Sequence, residues 1–169
     1  MKRKHLIYGL VILGAAIAWA AFRPERLFVN AKVSEAMPTS ASRTVSETIL
    51  ASGSFHSVAH DGSGDASIYQ LSDGQRILRF TNFKTSNGPD VHVYLVAAKD
   101  PSDSETVKQA GFVEVGALKG NMGDQNYELP SDLALNKYRA VTIWCKRFSV
   151  NFATAPLNPG NGSVSAMNQ

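Results

Sequence analysis

The chain has 169 residues but only one cysteine, Cys145. A single cysteine excludes an intramolecular disulfide, so the fold is not held together by disulfide bridges. Zinc-type CxxC, HxH and HExxH spacings are missing, as are GxSxG, the P-loop and GxGxxG. These absences argue against the enzyme and cofactor-binding classes that carry such motifs. The sequence favours a binding module or a redox accessory over an enzyme with its own catalytic motif.

Basic residues are scarce outside the first part of the chain. Residues 1–32 hold six of the 17 Lys and Arg but one of the 14 Asp and Glu, so the remainder carries 11 basic and 13 acidic side chains. The net charge of +3 therefore reflects the N-terminus, and the rest of the chain is mildly acidic. No basic stretch interleaved with aromatic residues occurs there, so we predict no nucleic-acid partner.

The N-terminus has the pattern of a membrane-targeting segment. The basic leader "MKRKH" precedes 17 uncharged residues, 6–22, which reach about 26 Å as a helix. This pattern predicts a signal-anchor or transmembrane helix over residues 1–22, with the rest of the chain outside the cytoplasm, at the cell surface or in the periplasm. Ala18-Trp19-Ala20 also resembles a signal-peptidase site, so cleavage after Ala20 stays open as an alternative.

The remaining chain divides into a stalk, a β-domain and a tail. Residues 23–52 are rich in Ser, Thr, Ala and Pro and predict a juxtamembrane stalk. Residues 53–157 contain about eight short β-branched or aromatic stretches, such as "RILRF" and "VHVYLV", separated by turn signals such as "SDGQ" and "SNGP". They predict an all-β antiparallel sandwich or barrel-like domain. Residues 158–169 predict a disordered tail.

Cys145 lies at the end of the predicted strand "AVTIWC". Strand alternation places Val141, Ile143 and Cys145 on one face and Trp144 on the other, which favours a buried, structural thiol. Lys146 and Arg147 follow at a predicted turn, and two cations beside a strand end favour a reactive thiolate. Both interpretations of Cys145 remain open at this point.

Other polar residues give weaker signals. His56, His60 and His92 lie in predicted strands, but their spacing matches no metal motif. The aspartates mostly adjoin glycine, where Asp forms turns. No metal site is predicted and no cofactor is evident, although haem and metal binding both stay open.

Several stretches together resemble one family. "NGPDVHVYL", "LKGNMGDQNYELP" and "VTIWCKRFSVNFATAPL" occur in this order, with Gly64 and Asp73-Gly74 upstream. From about residue 53 to residue 157 the chain looks like the DM13 domain. The resemblance implies a small extracytoplasmic β-sandwich-like domain with a role in electron transfer through its characteristic cysteine, here Cys145. No haem-holding domain adjoins it in this chain, so the resemblance implies that the redox partner is another molecule.

Two main hypotheses follow from these observations. In the first, a membrane-tethered module transfers electrons through Cys145, with Lys146 and Arg147 stabilising the thiolate. In the second, Cys145 is structural, and loops such as "SNGPD" and "KGNMGD" bind a protein or glycan as in an adhesion module. A dimer linked through Cys145 ranks below both. The sequence does not identify the redox or binding partner.

Overall fold

The computed structural model describes residues 2–22, 29–38 and 48–160. Its helices are α1 (Lys2–Phe22), α2 (Ser104–Ala110) and a short 3₁₀ helix (Leu135–Lys137). Its strands are β1 (Lys32–Ser34), β2 (Thr48–Ser54), β3 (His56–Ser57), β4 (Gly62–Gln70), β5 (Arg76–Thr85), β6 (Val91–Val96), β7 (Phe112–Ala117), β8 (Met122–Leu129), β9 (Ala140–Cys145), β10 (Val150–Pro156) and β11 (Asn158–Pro159).

The strands form two open sheets. The first has the order β1-β8-β5-β4-β2-β11, and the second has the order β3-β10-β9-β6-β7. Every pairing is antiparallel except that of β1 with β8, which is parallel. The predicted all-β, mainly antiparallel fold is confirmed. Of the two forms left open, the structure shows a sandwich, because neither sheet closes into a barrel.

The core fills the space between the two sheets. Alternation along β5 turns Leu78 and Phe80 inward, and Val93 of β6 and Ile143 of β9 meet them from the second sheet. All four side chains are fully buried. This burial of large apolar side chains from both sheets is what holds the sandwich together.

The outer face of the second sheet is covered by α2. Asp103 caps this helix, because its carboxylate accepts a hydrogen bond from the amide of Thr106 at 2.7 Å. Val107 of α2 packs with Tyr94 and Trp144 on this outer face. Strand β9 is therefore buried on both faces along its whole length. The sequence predicts no helix here, because a seven-residue helix shows too few turns for a helical period.

The sheets extend beyond the predicted domain limits. Strand β1 and most of β2 lie in the segment predicted as a stalk, and β11 lies at the start of the predicted tail. β1 and β11 are only three and two residues long, too short to show a period-two pattern. The other residues of the predicted stalk and tail, 23–28, 39–47 and 161–169, lie outside the described residues.

The predicted membrane segment forms the helix α1. Within the described ranges, no helix combines the length and the apolar character needed to cross a bilayer. The predicted membrane span is therefore not supported.

Candidate functional site

Cys145 is the last residue of β9 and has no exposed surface. Its side chain belongs to the core between the sheets, together with Val141 and Ile143, whereas Trp144 packs under α2. The predicted division of β9 into two faces is thus confirmed. The thiol is free and enclosed by apolar side chains, the usual setting of a structural cysteine.

The position of Cys145 at the edge of the core distinguishes it from its neighbours. It pairs with Val91, the first residue of β6, and with Val150, the first residue of β10. Both valines are only partly buried. The exposed turn of residues 146–149 follows directly, and Ser149 in it has a φ of +54°. Cys145 is therefore buried by a row of strand ends rather than by the middle of a sheet.

Lys146 and Arg147 do not contact the sulfur in the described structure. The Lys146 ammonium lies 3.1 Å from Oε2 of Glu114 on β7, and the Lys146 amide donates to the carbonyl of Asp90 at 2.9 Å. Both side chains are exposed, whereas the thiol points into the core. Their predicted action on the thiolate stays a prediction, and it requires a conformation in which the turn has moved.

Four charged or titratable side chains form a chain beside this turn. His92 Nε2 lies 2.8 Å from Oδ1 of Asp90, and His92 Nδ1 lies 2.7 Å from Oε1 of Glu114. Glu114 in turn contacts Lys146. Although the contact between His92 Nδ1 and Glu114 is short, it lacks hydrogen-bond geometry. These four side chains together link β6, β7 and the turn between β9 and β10.

The Glu114 carboxyl is expected to titrate below its ordinary pKa of 4.5. Desolvation by burial raises this pKa, but the contacts of the carboxylate with Lys146 and His92 lower it by more. The stability that Glu114 contributes is therefore present above pH 4.5 and is lost as the pH falls through the lowered pKa. A carboxyl-carbon NMR titration measures this pKa. The variant Lys146→Met should raise it, and an unchanged pKa in that variant would contradict the role given to Lys146.

A cleft of about 630 Å³ opens next to this chain of charges. Its walls are residues 86–92, residues 117–121, Val29 and Ala31. The loops "SNGPD" and "KGNMGD", which the sequence analysis treated separately, therefore meet here. Asn30 joins them, because its Oδ1 accepts from Nδ2 of Asn121 at 2.9 Å and from Nδ2 of Asn87 at 3.2 Å.

The remaining histidines lie elsewhere. His56 Nε2 contacts Oδ1 of Asp100 at 2.7 Å, and the ring of His60 packs on Phe152 with 3.8 Å between centroids. Among the residues that the structure describes, no group of three His, Cys, Asp or Glu side chains is arranged to hold a metal ion.

The sequence did not predict the chain of contacts from Asp90 through His92 and Glu114 to Lys146, called here the His92 chain. The i, i+2 spacing of Asp90 and His92 places both on one side of an extended segment and offered a partial signal. The approach of Glu114 depends on the pairing of β6 with β7, which no local pattern specifies.

Comparison with known proteins shows to which family the chain belongs. The model of the family described as "Electron transfer DM13" matches residues 54–157, which is more than half of the chain. The chain belongs to the DM13 family. No curated protein and no solved structure matches it. The DM13 match includes Cys145, the His92 chain and both loops of the cleft, but it begins after β1.

The variant Cys145→Ser is expected to lower the free energy of unfolding by about 1–3 kcal/mol, because it places a hydroxyl without a partner in the apolar core of the DM13 domain. Cys145→Ala is the matched control, since it removes the sulfur without adding a polar group. Urea unfolding measures both variants. A serine variant as stable as the wild-type protein would contradict the apolar setting of the thiol.

Proposed function

We propose that the protein is an electron-transfer domain that acts outside the cytoplasm, with Cys145 as its redox group. The family supports the electron-transfer class. One observation carries the assignment to Cys145: the only cysteine of the chain lies at a strand end, one residue before an exposed turn. The redox partner is a separate molecule that carries a disulfide.

Access to the sulfur comes from local opening at the end of β9. The pairing of Cys145 with Val91 and Val150 is the last row of the sheet at this edge. Beyond this row, two contacts hold the turn: the hydrogen bond from the Lys146 amide to the Asp90 carbonyl, and the ion pair of Lys146 with Glu114. Exposed ion pairs contribute about 0–1 kcal/mol, so freeing the turn costs far less than unfolding the sandwich.

The chemistry is thiol–disulfide exchange. The Cys145 thiol loses its proton, and its sulfur bonds to one sulfur of the partner disulfide. The partner's second sulfur leaves and takes up a proton, so one S–S bond forms as another breaks. Lys146 and Arg147, released with the turn, stabilise the thiolate before it attacks.

The reaction of the folded protein with a small aromatic disulfide tests this proposal. We expect one mixed disulfide per chain, detected by mass, while circular dichroism shows an intact fold. The variant Glu114→Gln, which removes the ion pair that restrains the turn but keeps the Lys146 cation, should react faster, and Cys145→Ala should not react. Absence of reaction until the protein unfolds would refute the redox role.

A second candidate function is a binding module with a structural cysteine. The meeting of the two loops in the 630 Å³ cleft favours it, because ligand sites are concave and built from a few polar groups among apolar ones. An NMR screen with oligosaccharides and short peptides tests this candidate. Shift changes confined to the cleft residues, and retained in Cys145→Ala, would support it. Shifts spread over the surface would argue against it.

A further inference from the structure

The edge of β8 is shaped to receive the segment of residues 29–36. β1 runs parallel to β8 with Val33 opposite Gly123. Gly123 has a φ of +95°, and a Cβ atom there would overlap the carbonyl oxygen of Val33. A Cβ atom on Gly120 would likewise overlap the carbonyl oxygen of Ala31. Gly123 within β8 and Gly120 in the loop before it leave a backbone surface on which another backbone fits closely.

Glu35 is the most strongly held side chain of this segment. Lys119 Nζ donates to its two carboxylate oxygens at 2.8 and 3.0 Å, and the amide of Asn126 donates to Oε2 at 2.7 Å. Burial raises the pKa of Glu35, but these hydrogen bonds and the charges of Lys119 and Arg79 lower it below its ordinary value. The edge of β8 thus offers a site for one carboxylate.

The backbone around Glu35 is also recognised. The Glu35 amide donates to the carbonyl of Asp124 at 3.0 Å, and the Glu35 carbonyl accepts from Arg79 at 3.0 Å. One residue later, the carbonyl of Ala36 accepts from Nδ2 of Asn126 at 2.7 Å. At the other end, the amide of Ala31 donates to Oδ1 of Asn121 at 2.8 Å. Backbone pairing combined with a pocket for one side chain is the pattern by which sheet edges bind extended peptides.

We propose that the edge of β8 is a peptide-binding site for an extended segment that carries a carboxylate, and that residues 29–36 are its resident ligand. The residues that contact this segment lie between Arg79 and Asn126, within the DM13 match, whereas the segment itself lies before it. A partner segment of the same chemistry replaces the resident one. Because Val29 and Ala31 line the cleft and Asn30 is hydrogen-bonded to Asn87 and Asn121 in its two loops, the exchange opens the cleft.

A cleavable version of the full chain tests the proposal. A specific protease site is inserted within residues 39–47, the folded protein is cut, and the N-terminal piece is retained through a tag. We expect the C-terminal piece to stay bound after cutting. Excess peptide of sequence "VNAKVSEAMP" should release it. The same peptide with Glu35→Gln should be about tenfold weaker or more, because it loses charge-assisted hydrogen bonds.

The peptide with Ser34→Ala is the matched control and should compete as well as the unchanged peptide, since Ser34 is exposed and lies next to Glu35. A second measurement uses the uncut chain, in which covalent linkage favours the resident segment. Full-length Glu35→Gln should bind labelled peptide about tenfold better than the wild-type chain does. Separation of the two pieces on cutting, or equal competition by the Glu35→Gln peptide, would overturn the proposal.

Discussion

Replacing Phe80 with alanine is expected to lower the free energy of unfolding by about 3–5 kcal/mol. Phe80 is fully buried at the centre of the sandwich. Its ring meets those of Phe55 and Phe83 with 5.0 Å between centroids, and that of Tyr127 at 5.3 Å. The variant loses the burial of the ring and these aromatic contacts and leaves a cavity that the rigid sheets fill only in part.

Phe148→Ala is the matched control, because the same change is made at a side chain that is 65% exposed. Its free energy of unfolding should stay within about 0.5 kcal/mol of the wild-type value. Urea denaturation followed by circular dichroism measures both variants. Equal effects at the two positions would show that the core does not lie between the two sheets as described.

Replacing Gly64 with alanine is expected to lower the free energy of unfolding by about 3 kcal/mol or more, because conformational strain and overlap add together. Gly64 has a φ of +98° at the irregular pairing of β4 with β5. A Cβ atom there would lie 2.7 Å from both the carbonyl oxygen of Asn82 and the Cα of Phe83. Neither backbone atom moves without disturbing β5.

The variant Gly74→Ala separates the cost of conformational strain from the cost of steric overlap. Gly74 also has a positive φ, +86°, but no heavy atom lies within 4 Å of the Cβ position. Strain alone should therefore cost about 1–2 kcal/mol in this variant. Thermal and urea unfolding of both variants provide the comparison. A Gly64→Ala protein no less stable than Gly74→Ala would show that β4 and β5 are not in close contact at this point.

The sequence predicted the regular part of the sandwich well. Alternation in "VHVYLV" and "AVTIWC" indicated strands and also the face on which Cys145 lies, because a side chain's face follows from period-two geometry alone. The elements that local patterns missed are short ones. Strand β1 is fixed by its docking on Gly123 of β8, and α2 is fixed by its cap and by packing on Tyr94 and Trp144.

The candidate site was predictable only in part. The sequence identified Cys145 and the cations that follow it, but their relation depends on the fold. Lys146 pairs with Glu114, 32 positions away, and Asn30 joins Asn87 and Asn121 across still longer separations. Such contacts arise from strand order, which side-chain periodicity does not specify.

The proposed redox role depends most on local access to Cys145, and the rate of thiol exchange in the folded protein measures this access directly. The rate is followed at low urea concentrations for the wild-type chain and for a control, Val93→Cys with Cys145→Ala. Val93 is equally buried but lies within β6, away from the strand end. We expect Cys145 to react through an opening that costs far less free energy than unfolding and depends weakly on urea. The control cysteine should react only on global unfolding. Equal opening free energies and urea dependences at the two positions would contradict the redox role and leave Cys145 as a core residue.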